Sequence, residues 1–252
     1  MRIYSNARQL MSEMGRDLWE MGTIIQPKTY QNKVIDGNPD FITKEEFCKQ
    51  YCLTSLPDPD FLFIFTDTKE WADKELTERL SGKSLNPGEA YKLNLKMWEP
   101  FLSHVNGKLK FDYTYSERLS KIVRSFNSPN EFTTVLDGVI DLLKYDPDTR
   151  KAVLPIFNSS DCNHYNGDAR IPCSMYYGFF IRNHQLNITY HQRSSDFVGH
   201  FGDDVYLAWN LMCYIAKKVD VKPGYLIHTI DSLHVYKKDW WLLKKSVDDY
   251  GL

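Results

Sequence analysis

The sequence has no long hydrophobic run. Its longer apolar runs, such as Phe61–Phe65 and Ala152–Phe157, are far too short to cross a bilayer. The first residues, MRIYSNARQLMSEMGRDLWEMG, carry charge throughout and lack the apolar centre of a secretion signal. We therefore expect a soluble, unsecreted chain that has no membrane partner and is located in the cytoplasm.

The sequence also has no excess of positive charge. It contains 31 Lys plus Arg and 33 Asp plus Glu, so its formal net charge is −2. A protein whose main task is to bind duplex DNA or RNA is normally basic. We therefore expect no polymeric nucleic acid as a partner, whereas a single nucleotide needs only a few local cations.

Cysteines are few and scattered: Cys48, Cys52, Cys162, Cys173 and Cys213. An odd number of scattered cysteines does not form a disulfide framework and is typical of a reducing compartment. Cys48 and Cys52 have i, i+4 spacing on a predicted helix, but no second pair follows at the spacing of metal ligands. Packing is therefore the favoured role for this pair, and we expect no metal.

Apolar and aromatic residues are abundant. The hydrophobic fraction is 42%, and 16 Tyr, 14 Phe and 6 Trp cannot all stay in water, which excludes a disordered chain. No stretch has the composition of a linker, and there is no repeat or low-complexity tract. We therefore predict one domain over residues 1–252.

Hydrophobic periodicity predicts an α+β chain, with most helices early and a sheet late. The predicted helices are Ser5–Met21, residues 66–82, Glu131–Tyr145 and Asp204–Val219. The predicted strands are Lys151–Phe157, Met175–Ile181, Leu186–Gln192 and Tyr225–Tyr236, the last as one or two strands after a turn at Lys222-Pro223-Gly224. Residues 27–41 are predicted to form a loop.

The hairpin predicted from Met175 to Gln192 suggests where chemistry occurs. If its turn is centred between Asn183 and His184, Cys173 faces Ser194 and has Arg193 beside it. A neighbouring cation stabilises a thiolate and so makes a cysteine nucleophilic. The alternative is that Cys173 is a small buried side chain without a chemical role.

Several motifs in one order resemble the thymidylate synthase family. They are Arg170-Ile171-Pro172-Cys173, Gln192-Arg193-Ser194-Ser195-Asp196, a helix, and then LIHTIDSLHVY, with Asp146-Pro147-Asp148-Thr149-Arg150-Lys151 upstream. The resemblance covers roughly residues 110–240, and the first hundred or so residues are divergent. It implies a thymidylate synthase-like fold, in which helices pack on a mixed sheet and two copies form a homodimer through that sheet.

The resemblance implies that four residues of this segment bind or attack a pyrimidine nucleoside monophosphate. Cys173 would be the nucleophile that adds to C6 of the pyrimidine ring. Arg193 and Ser194 would hold the 5′-phosphate, for which a planar guanidinium is a favoured donor. Arg150 would be donated to the phosphate across the dimer interface; without the resemblance it would be taken for a surface cation. Arg16 and Lys28 both remain candidates for a further phosphate ligand near the N-terminus.

Four more residues resemble the family's sugar and folate ligands. His234 and Tyr236 would bind the 3′-hydroxyl of the sugar, and their i, i+2 spacing places both on one face of a strand. Asp196 would bind the pterin ring of methylenetetrahydrofolate, the family's co-substrate, and Trp98 would stack on the folate. Packing is the alternative role for the histidine–tyrosine pair and for Trp98.

Two further residues resemble the groups that move protons. Tyr115 would assist removal of the proton from C5, although Ser116 follows it where the family usually has Gly. Glu75 would be the glutamate that relays protons through ordered water, although Glu78 stands where the family usually has Trp. The alternative for Glu75 is an exposed position on a charged helix.

One departure from the family concerns the base. The family's uracil-recognising asparagine lies at the start of the helix after the Gln-Arg-Ser motif, and this chain has Asp204 there. A carboxyl group accepts from N4 of cytosine and shares one proton with N3, so Asp204 predicts cytosine. Ser174, where uridylate enzymes commonly have His, supports this prediction. The alternative is that Asp203 or Asp204 only caps the helix.

The pattern is closest to the branch of the family that hydroxymethylates cytidylate. This resemblance implies an enzyme that transfers a one-carbon unit to C5 of dCMP and gives 5-hydroxymethyl-dCMP. A dCMP 5-methyltransferase, a dUMP methylase or hydroxymethylase, and a non-catalytic nucleotide-binding relative remain open. Such hydroxymethylases typically supply phages with modified cytosine, so for a viral source we expect the host cytoplasm.

Overall fold

A mixed β-sheet lies at the centre of the computed structural model, which describes residues 1–128 and 130–249. Its strands in spatial order are β1 (Arg2–Tyr4), β5 (Thr43–Leu53), β14 (Lys222–Tyr236), β12 (Gln185–Gln192), β11 (Ser174–Arg182) and β10 (Val153–Pro155). β1 is parallel to β5 and β12 is parallel to β14, whereas the other neighbours on this path are antiparallel. Two short strands extend the sheet: β2 (Thr23–Ile25) beside β5, and β13 (Ser195–Asp196) beside β14.

Helices pack on this sheet through apolar faces. They are α1 (Ala7–Met21), α2 (Lys69–Arg79), α3 (Leu95–Trp98), α4 (Tyr115–Leu119), α5 (Val135–Tyr145), α6 (Phe201–Lys218) and α7 (Trp240–Asp249). α1 buries Leu10, Met14 and Leu18, and α6 buries Val205 and Met212, in a core shared with the sheet. The predicted fold class, a mixed sheet with helices packed on it, is confirmed. In the described residues, no helix is long and apolar enough to cross a membrane.

The connections contain small hairpins and short 3₁₀ helices. The hairpins are β3 (Thr29–Tyr30) with β4 (Lys33–Val34), β6 (Ser103–Val105) with β7 (Lys108–Lys110), and β8 (Ile122–Arg124) with β9 (Phe132–Thr134). The β3–β4 hairpin falls in the predicted loop of residues 27–41. That residues 1–252 form one domain stays a prediction, and Pro129 and residues 250–252 lie outside the described part.

The β11–β12 hairpin has the predicted register over most of its length. Tyr176 pairs with His191 and Arg182 with Gln185, and the turn residues Asn183 and His184 have the positive φ angles that a tight hairpin favours. A bulge between Ser174 and Tyr176 then shifts the pairing by one residue. The expectation that Cys173 faces Ser194 is therefore wrong: the N–H of Arg193 donates to the Cys173 carbonyl at 2.9 Å.

Three local expectations are also corrected. Cys48 and Cys52 lie on strand β5 and not on a helix, because pairing with β14 along its length outweighs the local helical pattern. Lys222-Pro223-Gly224 forms the start of β14, while the turn before it has Asp220 at a positive φ of 58°. α6 begins at Phe201, three residues before the predicted start.

Candidate active site

A cavity of about 290 Å³ opens beside the carboxyl end of β12 and the start of β11. Its wall contains every predicted site residue except Arg150. They are Glu75, Trp98, Tyr115, Cys173, Arg193, Ser194, Asp196, Asp204, His234 and Tyr236. Residues from seven separate segments of the chain thus converge on one space, although the strands and helices that carry them are far apart in sequence.

Cys173 is half-buried on the wall of this cavity, directly before β11. Its Sγ lies 3.7 Å from Nη2 of Arg193 and 3.9 Å from Nε2 of Gln31. The same guanidinium donates from Nε to the carbonyl of Pro172 at 2.8 Å and from Nη2 to that of Ile171 at 3.1 Å. Arg193 therefore fixes the backbone before the cysteine and also places a positive charge beside the sulfur.

Asp204 lies in the first turn of α6 and is half-buried at another part of the wall. Its Oδ2 accepts from Nε2 of Gln192 at 2.8 Å and from Oγ of Ser195 at 3.2 Å. Because its own N–H already bonds to the carbonyl of His200, Asp204 is inside the helix, and the capping alternative is wrong for this residue. Burial raises the pKa of Asp204 from 3.8 to about 6.

A buried chain of hydrogen bonds orients the partner of Asp204. Oε1 of Gln192 lies 2.8 Å from Nε2 of His228, whose Nδ1 lies 2.9 Å from the hydroxyl of Tyr51. Burial lowers the pKa of His228 to about 3, so the ring is neutral. Since the amide oxygen of Gln192 can only accept, Nε2 of His228 carries the proton and Nδ1 accepts from the tyrosine. The amide group of Gln192 is thereby turned so that its donor faces Asp204.

Arg79 contacts both Glu75 and Tyr115. Oε1 of Glu75 accepts from Nε of Arg79 at 2.8 Å, and the guanidinium carbon lies 3.9 Å from the centroid of the Tyr115 ring. The Tyr115 hydroxyl lies 3.1 Å from Oγ of Ser174, which lies 2.6 Å from the hydroxyl of Tyr190. Burial raises the pKa of Tyr115 well above its ordinary value, so the phenol is protonated.

Glu78 has a different role from Glu75, although both lie on α2. Its Oε1 accepts from the backbone N–H groups of Glu89 and Ala90 at 2.7 and 2.9 Å, and Glu78 is not part of the cavity wall. The carboxylate of Glu78 therefore holds a neighbouring turn, and Glu75 faces the cavity.

His234 and Tyr236 lie on one face of β14, as their spacing predicts, and both are buried in the cavity wall. Their rings are 5.0 Å apart, and Tyr30 of β3 packs edge-on against Tyr236 at 5.7 Å. Burial lowers the pKa of His234, so this ring is neutral near pH 7. A neutral imidazole and a phenol side by side can both donate to and accept from a hydroxyl group.

Aromatic rings line another part of the cavity. Trp98 stacks on Trp71 at 5.4 Å, and the guanidinium of Arg170 lies 5.2 Å from the Trp98 ring and 4.5 Å from that of Phe101. Nε1 of Trp98 and Nε of Arg170 are buried and have no hydrogen-bond partner in the described part of the chain. A flat ligand with acceptor atoms on its edge, such as a pterin, fits these two donors and the stacking surface.

Three predicted cations lie away from this cavity. Arg150 is exposed between α5 and β10, so it does not complete the site of its own chain. Arg16 and Lys28, the two candidates for a further phosphate ligand, are also absent from the cavity wall. Within residues 1–128 and 130–249, no group of His, Cys, Asp or Glu is arranged to hold a metal ion.

Sequence reasoning missed Arg79, Arg170 and Gln31. Arg79 had a detectable signal, since its i, i+4 spacing from Glu75 predicts an ion pair on a helix. Arg170 lies in the motif that ends at Cys173, but its contact with Trp98 had no signal, and neither had that of Gln31 with Cys173, because each contact joins segments that are more than fifty residues apart.

The family model "Thymidylate synthase" matches residues 69–249, and the chain therefore belongs to the thymidylate synthase family. Thymidylate synthase A from Bacillus subtilis has the same fold, with a TM-score of 0.76, 20% sequence identity and coverage of 97% of this chain and 84% of that one. Enzymes of the family use methylenetetrahydrofolate to transfer a one-carbon unit to a pyrimidine nucleotide and are typically dimers.

Two curated relatives match shorter stretches. The deoxyuridylate hydroxymethyltransferase of Bacillus phage SP01 is 34% identical over 145 residues, which are 56% of this chain and 35% of that protein. A protein of Methanosarcina mazei that is named after thymidylate synthase is 31% identical over 137 residues, or 54% of this chain and 58% of that one. The matched stretch thus spans between about a third and somewhat over half of these relatives.

Proposed function

We propose that the chain is a folate-dependent deoxycytidylate 5-hydroxymethylase, which converts dCMP to 5-hydroxymethyl-dCMP. The observation that carries this proposal is the half-buried carboxyl group of Asp204, held by Gln192 and Ser195 on the wall of the cavity that contains Cys173. A carboxyl group at this position has the hydrogen-bonding pattern of a cytosine partner.

The Cys173 thiolate starts the reaction by forming a bond from Sγ to C6 of the pyrimidine. This addition makes C5 electron-rich, and C5 of an unmodified pyrimidine is a poor nucleophile. Methylenetetrahydrofolate supplies the one-carbon unit at the oxidation state of formaldehyde. C5 then forms a bond to this carbon, and the C5 proton leaves, assisted by Tyr115 and by water held at Glu75, while the bond from the carbon to the folate nitrogen breaks and releases tetrahydrofolate. Water adds to the resulting exocyclic methylene carbon, and loss of the thiolate from C6 restores the aromatic ring.

Asp204 selects cytosine through a shared proton. Because Oδ2 accepts from Gln192 and Ser195, the proton of the pair lies on Oδ1 or on N3 of the base, and N4 donates to the carboxyl group. A base with the opposite pattern leaves buried polar groups unpaired, which costs about 1–3 kcal/mol for each group.

The remaining residues bind the other parts of the two substrates. Arg193 and Ser194 take the 5′-phosphate, Arg150 of a second copy completes that site in a homodimer, and His234 with Tyr236 binds the 3′-hydroxyl. Trp98 and Asp196 bind the folate, and the orphaned donors on Trp98 and Arg170 support a heteroaromatic ring there.

The hydroxymethyl product is supported by similarity to a phage hydroxymethyltransferase. In that outcome water, and not hydride from the folate, reaches the exocyclic methylene carbon at C5. The same relative is named for deoxyuridylate, so hydroxymethylation of dUMP is the second candidate function.

One assay separates these candidates. The purified protein is incubated with methylenetetrahydrofolate and dCMP, dUMP, CMP or UMP, and the product is identified by mass, with Cys173→Ala as the control. We expect 5-hydroxymethyl-dCMP without formation of dihydrofolate. A methylated product with dihydrofolate, or a faster reaction with dUMP, would contradict the proposal, and no product from any nucleotide would support a non-catalytic relative.

A further inference from the structure

Arg79 is a buried cation on the wall of the cavity, and the predicted site does not include it. It is the last residue of α2, and its side chain is only 10% exposed. A buried guanidinium is costly unless its charge is compensated and its N–H groups are bonded. Its position therefore needs a reason beyond the stability of the helix.

The contacts of Arg79 join the two groups that are proposed to move protons. Its Nε donates to Oε1 of Glu75 at 2.8 Å, and its guanidinium carbon lies over the Tyr115 ring, 3.9 Å from the ring centroid. Glu75 is itself mostly buried, with a side-chain exposure of 17%. The arginine thus has one carboxylate partner and one aromatic partner, and both line the cavity.

An ordinary helix-stabilising ion pair does not explain this arrangement. The same helix has such a pair on its exposed side, where Lys69 lies 3.1 Å from Asp73 and the two side chains are 42% and 49% exposed. That pair has the same i, i+4 spacing without burial, and neither residue is part of the cavity wall. An exposed pair of this kind contributes only about 0.3–0.5 kcal/mol.

We propose that Arg79 is a positioning residue for removal of the C5 proton. It fixes the carboxylate of Glu75 and the ring of Tyr115 relative to the pyrimidine, and its positive charge offsets the negative charge that appears on the proton-accepting groups. The planar guanidinium is suited to this task because one face stacks on the ring while one edge bonds to the carboxylate. This inference rests on the proposed reaction at C5, but it does not depend on whether the base is cytosine or uracil.

The test compares three variants of the full-length protein. Arg79→Met removes the charge and keeps most of the side-chain volume, Arg79→Lys keeps the charge without the planar group, and Lys69→Met removes the exposed pair of the same helix. Each variant is assayed for tritium release from C5-labelled dCMP and dUMP in the presence of methylenetetrahydrofolate. The nucleotide dissociation constant and the Tm of each variant and of the wild-type protein are also measured.

We expect Arg79→Met to release tritium about 10²-fold more slowly, in the range of a lost general acid–base contribution. Its nucleotide dissociation constant should stay within about threefold of wild type, because binding does not involve the proton transfer. Arg79→Lys should recover about tenfold of the lost rate, since the charge stays near both groups. Lys69→Met should release tritium at the wild-type rate.

Two results would overturn the inference. One is tritium release by Arg79→Met at the wild-type rate, and the other is a loss in which rate, nucleotide affinity and Tm fall together and Arg79→Lys recovers nothing. Wild-type release from dUMP but not from dCMP would refute cytidylate specificity while leaving the role of Arg79 to be decided by the same variants. Wild-type protein that releases tritium from neither nucleotide would overturn both.

Discussion

Replacing Asp204 by Asn tests base recognition and the cost of the half-buried carboxylate together. Asn keeps an oxygen that accepts from Gln192 and Ser195, but it has a fixed donor in place of the shared proton. That donor matches O4 of uracil, whereas N4 of cytosine is itself a donor. Since one mismatched buried polar group costs about 1–3 kcal/mol, the ratio of kcat/KM for dUMP to that for dCMP should rise about 10- to 100-fold.

The same substitution should stabilise the protein, and more so as the pH rises. The pKa of Asp204 lies at about 6 in the folded protein because burial disfavours the charged form, against 3.8 without that burial. Ionisation therefore costs stability: the favourable contribution of the neutral form is complete below pH 3.8 and is lost as the pH rises through 6. The difference between these two pKa values corresponds to a loss of about 3 kcal/mol in the free energy of unfolding above pH 6.

The assay for this effect is thermal unfolding of both proteins between pH 4.5 and pH 8. We expect the difference in Tm to be small at the acid end and to reach about 6–12 °C in favour of Asp204→Asn at the alkaline end. Asp203→Asn is the matched control at the adjacent position, where the carboxylate accepts from Thr68, and it should leave the dUMP to dCMP ratio unchanged. An unchanged substrate ratio in Asp204→Asn would refute the recognition role, and a Tm difference that is independent of pH would refute the buried charge.

Three further predictions concern the other residues of the site. Glu75→Gln should lower kcat by about 10²- to 10³-fold with little change in nucleotide affinity, because the amide cannot relay a proton; steady-state kinetics and a binding titration check this, and a normal kcat would contradict it. Co-expressed Arg150→Ala and Cys173→Ala chains should regain about one quarter of wild-type activity, since half of the dimers are mixed and each mixed dimer has one intact site. Purified mixed dimers that stay inactive would exclude donation of Arg150 across the interface. Trp98→Ala should raise KM for methylenetetrahydrofolate about tenfold through loss of the stacking surface while the dCMP dissociation constant is unchanged; an equal effect on both substrates would indicate a packing role for Trp98.

The sequence predicted the parts of the fold that depend on local patterns. Two strand-like runs, Met175–Ile181 and Leu186–Gln192, flank the turn at Asn183-His184, and together they predicted the hairpin and most of its register. The bulge at Ser174 could not be predicted, because it depends on how the ends of both strands bond to the segment before Cys173. Strand β5 was missed because its charged side chains resemble a helical surface, and its state is decided by pairing with β14, which is almost two hundred residues away.

The candidate site was predictable where a motif carries it and not where tertiary contacts create it. Resemblance to a family located the residues of the wall from Cys173 to Tyr236, and the structure brings them to one cavity. The support of Gln192 by His228 and Tyr51 had no signal in the sequence, since two buried polar residues on neighbouring strands do not reveal their partners. The stacking of Arg79 on Tyr115 likewise needs the packing of α2 on α4.

The most direct test of the mechanism uses 5-fluoro-dCMP with methylenetetrahydrofolate and the intact mass of the protein. Fluorine on C5 cannot leave as a proton does, so the reaction should stop while Sγ of Cys173 is bonded to C6. We predict a mass increase equal to one nucleotide plus one folate per chain, located on the peptide that contains Cys173 and absent from Cys173→Ala. Unmodified wild-type protein, or an adduct on a different residue, would contradict nucleophilic attack by Cys173.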